Sequence, residues 1–171
     1  MQIQFTWFNK CHVPQNYRFL FLGIAFIIIL LDQLTKYYAR HHLALFEVKP
    51  FMPFWNWTLI YNQGAAFSLL ANKGELAKIF FGGIALIVSM SLVYFLLNKM
   101  YSGLTGISLS FILGGALGNL IDRIIDGKVT DFIQWYYKTH YWPAFNLADS
   151  FITVGVVLLI IESIFITRGK E

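Results

Sequence analysis

From Phe19 to Leu31 the chain carries no charged side chain, and this run limits what the sequence can become more than any other feature. With its flanks it forms an apolar span from about Tyr17 to Leu34, followed by spans at about Leu76–Leu97, Gly103–Ile121 and Phe145–Ile166. Each has about 18–22 residues, which at about 1.5 Å per residue crosses a hydrocarbon core of about 30 Å. Composition agrees. The 171 residues are 57% hydrophobic and 13% charged, and a soluble globule would be left with large exposed apolar patches. The expected fold is an all-α integral membrane protein, a bundle of four transmembrane helices.

The first span reads as a retained helix. Asp32, Gln33 and Lys36 follow it where a cleaved leader needs small residues. Cys11 is the only cysteine, so no intrachain disulfide forms. Its Phe8-Asn9-Lys10 approach lacks the small residues of a lipidated site, and an idle thiol is expected. The net charge of +4 comes from scattered Lys and Arg, with no nucleic-acid reader motif, so no nucleic-acid partner is expected. The histidines form no His-Glu-x-x-His set, and no Gly-x-Ser-x-Gly elbow or phosphate loop occurs. No metal or cofactor is expected.

Four crossings place both termini on one side. The basic residues do not say which side: most lie on the side opposite the termini, and the flanks of the first span tie. The connections on that opposite side, about 35–75 and 122–144, are long. Phe54–Asn62 alternates, with Trp55, Trp57, Leu59 and Tyr61 on one face, and predicts a strand with an interfacial aromatic face. Lys128–Tyr137 is a weaker strand candidate, and Gly64-Ala65-Ala66 predicts a turn. No linker or repeat divides the chain, so residues 1–171 read as one membrane domain.

Topology then gathers polar residues from distant positions at one mouth. Asp32 closes span one, Asp122 and Arg123 close span three, and Asp149 lies about one turn inside span four. Of the nine acidic residues, all but Glu162 and Glu171 fall on that side. Ionisable groups at membrane depth are costly and by default functional. Asn119, Asp122 and Arg123 share one helix face, as do Asn146, Asp149 and Thr153. Gly106, Ser110, Gly114 and Gly118 form a small-residue seam that would press these faces together.

Spacing alone leaves Asp32 and Asp122 open between ion-paired structural acids and catalytic ones, since Lys36 stands four residues from Asp32. Asp149 has no cation within four positions. Glu162 is expected to face interfacial water. Two neighbouring carboxylates cannot easily both ionise, so one keeps its proton while the other stays anionic. Such a pair hydrolyses a peptide bond without metal or covalent intermediate. Asp131 and Asp149 are the leading pair.

Five blocks carry a resemblance: Asp32-Gln33-Leu34-Thr35-Lys36, Asn62-Gln63-Gly64-Ala65-Ala66-Phe67, Gly114 to Arg123, Gly127 to Ile133, and Phe145-Asn146-Leu147-Ala148-Asp149. In this order they resemble bacterial lipoprotein signal peptidase (signal peptidase II) from about Tyr17 to Ile166; residues 1–16 match no motif. The resemblance implies an intramembrane aspartic endopeptidase of the inner membrane, the target of globomycin. It would cut diacylglyceryl-modified prolipoproteins on the amino side of the lipidated cysteine. Asp131 and Asp149 would be the dyad. Asn62, Asn119, Arg123 and Asn146 would position substrate and dyad, with Asp32, Asp122 and Gly64 in support. Both termini would be cytoplasmic and the site periplasmic, with a small periplasmic β cradle in the first long loop. Lipidated precursors and membrane lipids are the implied partners, and a monomer is expected. The rival readings are a small ion- or proton-coupled four-helix transporter and a non-catalytic assembly subunit.

Overall fold

The computed structural model describes Pro14 and residues 17–64 and 74–168. Cys11 and the Ala65-Ala66 part of the expected turn lie outside the described residues. Among the described residues, four helices are long and apolar enough to cross a membrane: α1 (Arg18–His42), α2 (Gly74–Asn98), α3 (Gly103–Asp126) and α4 (Leu147–Arg168). Their outer faces remain apolar. Phe26, Ile87, Val157 and Ile160 point away from the bundle, as a lipid-facing surface requires.

α3 is the central helix and packs against the other three. The small-residue seam explains how. A Cβ at Gly106 would strike Phe21, at Gly114 Ile28, and at Gly118 Asp32. The two series rise together, so α1 and α3 run in the same direction with their backbones close. On another face of α3, Gly115 abuts the Ala148 carbonyl and Ser108 the backbone of Gly155, so α4 runs antiparallel. The C-terminal ends of α1 and α3 therefore meet the N-terminal end of α4 at one mouth.

Both α1 and α3 run past their expected ends, α1 beyond Leu34 to His42 and α3 beyond Ile121 to Asp126. After Arg18 at its start, the buried stripe of α1 is Phe21, Ala25, Ile28, Asp32, Lys36 and Ala39. It changes from apolar in the bundle to ionic at the mouth without leaving one helix face. Gly127, with φ of 71°, takes the left-handed conformation that ends α3, and its N–H bonds to the Arg123 carbonyl. The chain then enters the sheet directly.

That sheet is antiparallel in the order β1 (Val48–Met52), β2 (Trp55–Asn62), β3 (Val129–Tyr137), β4 (His140–Tyr141). The expected cradle is therefore built from both long connections rather than the first alone. The register with β3 shifts between Trp57 and Ile60 on β2. This bulge breaks the expected alternation: Asn56, Thr58 and Leu59 are the buried residues. Leu59 and Phe132 pack on Ala39 and Leu43, seating the sheet on the protruding end of α1.

At the opposite end Glu162 is 3% exposed, not in interfacial water as expected. It accepts hydrogen bonds from the Ser102 and Thr105 hydroxyls at the start of α3. A buried carboxylate is retained there because the unpaired N-terminal turn of a helix favours negative charge.

Candidate active site

Asp131 lies on β3 and is 2% exposed. Its Oδ1 accepts from Asn146 Nδ2 at 2.8 Å, and the Asn62 side chain also hydrogen-bonds to it. Burial is the largest influence on its proton, followed by the negative charge of nearby Asp149; together they push its pKa to about 7. The bonds from Asn62 and Asn146 and the charge of Lys36 act in the opposite direction and are outweighed.

Asp149 occupies the third position of α4, in its first turn rather than one turn deep, because the helix begins at Leu147. Asn146 is the N-cap. Its Oδ1 accepts from Asp149 N at 3.0 Å, and Asp149 Oδ2 accepts from Asn146 N at 3.2 Å. This reciprocal capping box satisfies two end-of-helix donors and fixes the Asp149 rotamer. The carboxylate also accepts from Asn119 Nδ2 at 2.8 Å. It is half-buried and borders a groove of about 530 Å³ walled by Trp135, Trp142, Phe145 and Thr153. One acid of the pair is thus sealed and the other open.

The amide orientations follow from what surrounds them. Asn119 Oδ1 accepts from Lys36 Nζ at 2.9 Å. An ammonium can only donate, so the amide nitrogen of Asn119 must face Asp149. Asn146 spends its oxygen on the cap, so its nitrogen turns to Asp131 and, at 3.2 Å, to Asn119 Oδ1. Asn62 Oδ1 accepts from Gly64 N at 2.8 Å, leaving the Asn62 nitrogen for Asp131. Gly64 makes that turn possible: its φ is 89°, and a Cβ there would collide with the Phe81 ring.

Asp32 and Asp122 belong to a buried ionic cluster. Lys36 Nζ lies 2.8 Å from Asp32 and 3.2 Å from Asp122. Gln33 Nε2 donates to both acids and to the Gly118 carbonyl. Asp32 Oδ1 accepts from Ala148 N at 3.0 Å, holding the first turn of α4. Asp122 Oδ2 accepts from Thr130 N at 2.9 Å, anchoring β3 one residue before Asp131. Each therefore positions one member of the pair through the backbone. Arg123 donates to the Asn119 carbonyl at 3.3 Å and lies over the Phe81 ring, within electrostatic reach of Asp149 and Asp131.

Lys36 is the site residue that sequence reasoning missed. It entered only as the helical neighbour of Asp32, yet its side chain is 0% exposed and joins Asp32, Asp122 and Asn119. The available signal was a lysine inside the polar end of an apolar helix, four residues after an acid. Among the described residues, no three His, Cys, Asp or Glu side chains are grouped to hold a metal ion.

The profile of the signal peptidase (SPase) II family matches residues 24–165. The lipoprotein signal peptidase of Acinetobacter baumannii is 46% identical over 160 residues, covering 92% of this chain and 89% of its own. That of Burkholderia pseudomallei is 46% identical over 150 residues, covering 88% and 90%. A solved bacterial membrane enzyme matches with a TM-score of 0.77 at 35% identity, over 89% of this chain and 92% of its own. These findings and the four-span fold define a multi-pass bacterial membrane protein of the aspartic peptidase class. The chain belongs to the signal peptidase II family. The transporter reading is set aside by that membership.

Proposed function

We propose that this single membrane domain is the prolipoprotein signal peptidase of its cell, with Asp131 and Asp149 as its catalytic dyad. The observation that carries the dyad is Asn146, which donates to Asp131 through its side chain and to Asp149 through its backbone. A single residue thereby ties both acids to one point. Asp131 starts with the proton of the pair, as its burial favours, and Asp149, which borders the open groove, serves as the base.

A water enters from the groove beside Asp149 and attacks the scissile carbonyl carbon. Asp149 takes the water proton while Asp131 gives its own to the carbonyl oxygen, forming a neutral tetrahedral diol. Collapse returns the diol proton to Asp131, breaks the carbon–nitrogen bond and sends the proton on Asp149 to the departing amine. Both acids end as they began. Arg123 and the amides of Asn62 and Asn119 offer donors to the substrate backbone, Asn146 holds both acids in place, and Asp32, Asp122 and Gly64 support that frame.

The substrate is a precursor carrying a diacylglyceryl group on the cysteine that follows the cut. It reaches the mouth sideways from the bilayer, where burial of each acyl CH₂ contributes about 0.8 kcal/mol. The enzyme sits in the inner membrane as a monomer with both termini cytoplasmic and the mouth periplasmic. Purified protein in detergent, given lipidated and unlipidated precursor, tests the reading. The lipidated form should be cut and the unlipidated form spared, with Asp131→Asn and Asp149→Asn both inactive. Cleavage by either variant at the wild-type rate would overturn the dyad.

A further inference from the structure

The groove beside Asp149 does not end there. Trp135 and Trp142, which wall it, also wall a second cleft of about 610 Å³ over the far half of the sheet. That cleft is mostly aromatic, with Phe54, Trp55, Tyr137 and Tyr141 among its walls. Its rings are open rather than packed away, with Tyr137 61% and Tyr141 60% exposed. Trp55 and Trp135 are paired across β2 and β3, and Phe54 stacks on Tyr137 at 6.0 Å.

Strand geometry links this cleft to the dyad. Trp135 and Tyr137 follow Asp131 on β3 by four and six residues. At about 3.3 Å per residue, Trp135 stands ~13 Å and Tyr137 ~20 Å along the strand from Asp131. An extended peptide advances at the same rate, so a chain cut at Asp131 would meet these rings four to six residues from the scissile bond. The direction is also set. The sheet lies beyond the helix ends, whereas the apolar signal segment belongs among the spans. The part that can lie along the sheet is the part after the lipidated cysteine.

We propose that the aromatic cleft binds the mature segment of the precursor, an extended polypeptide roughly four to six residues beyond the cut. This rests on the peptidase reading above. Flat aromatic faces grip backbone and side chains of many kinds, giving affinity with little sequence demand.

The test uses the full-length enzyme in lipid nanodiscs and two diacylglyceryl-modified precursors, one ending a single residue after the cysteine and one ten residues after it. Wild-type enzyme should cut the long precursor with the higher kcat/KM. The Tyr137→Ala/Tyr141→Ala double variant should lose about tenfold on the long precursor, the scale of truncating aromatic anchors. It should cut the short one at the wild-type rate, which also shows that the variant is folded. Equal losses on both precursors would overturn the proposal and make the cleft a bilayer contact or a structural element. No loss on either would overturn it too. Wild-type enzyme that cuts neither precursor would instead refute the peptidase reading, and the cleft assignment with it.

Discussion

Lys36 is the position at which the account makes its steepest demand. Its ammonium lies 2.8 Å from Asp32, 3.2 Å from Asp122 and 2.9 Å from Asn119, with the side chain fully buried. Replacement by Met keeps the volume and removes the charge. Each lost ion contact would be worth about 5 kcal/mol at an effective dielectric of 20, before desolvation is subtracted. Removing one partner of a buried pair costs about 3–5 kcal/mol in practice, because the other charge is stranded. Lys36→Met strands Asp32, leaves Asp122 with only the 3.9 Å ion contact to Arg40, and leaves Asn119 Oδ1 only the 3.2 Å bond from Asn146. We expect thermal unfolding in detergent to fall by roughly 10 °C. An Asn119 held less firmly should lower kcat by about a hundredfold, the scale of a 1 Å misplacement. Adding Asp32→Asn removes one stranded charge, so the double variant should regain stability but not kcat. A Lys36→Met enzyme that melts and turns over like wild type would refute the reasoning, as would a double variant that regains both properties.

Two other substitutions separate the mouth from the far end of the bundle. Gly64→Ala forces a Cβ toward the Phe81 ring at a left-handed backbone position; we expect about 1–3 kcal/mol of lost stability and a lower kcat, read by melting and by precursor cleavage. Glu162→Ala removes the acceptor of two buried hydroxyls; stability should drop by about 1–3 kcal/mol while kcat is unchanged.

The convergence at the mouth was legible because apolar spans fix where a membrane helix must turn back, and the acids stand at those turning points. Asp131 and Asp149 could be paired on that basis although they stand 18 positions apart in the sequence. Other features depend on partners that spacing does not show. Lys36 is buried by α3 acids and amides more than 80 residues away, so its sequence neighbourhood suggests only a local pair with Asp32. The Asn146-x-x-Asp149 spacing fits one helix face and a capping box equally well, and only the start of α4 decides. β1 holds Pro50 and is exposed throughout, and β4 is two residues long, so neither has an alternation to read. The β2 bulge turned a clean aromatic pattern into a mixed one. Glu162 looked solvated because its hydroxyl partners lie on another helix.

The central claim is that Asp131 holds the proton of the pair near neutral pH. Its raised pKa means that the folded protein keeps this proton more tightly than the unfolded chain. The stability tied to it is complete below an ordinary aspartate pKa near 4, and is lost as pH rises through about 7. Activity that needs the protonated form should fall over the same upper limb. Carboxyl carbon NMR of selectively labelled Asp131 in detergent micelles measures this directly. Titration at about pH 7, returning toward the ordinary range in Asp149→Asn, is the expected result; titration near 4 in both proteins would contradict the account.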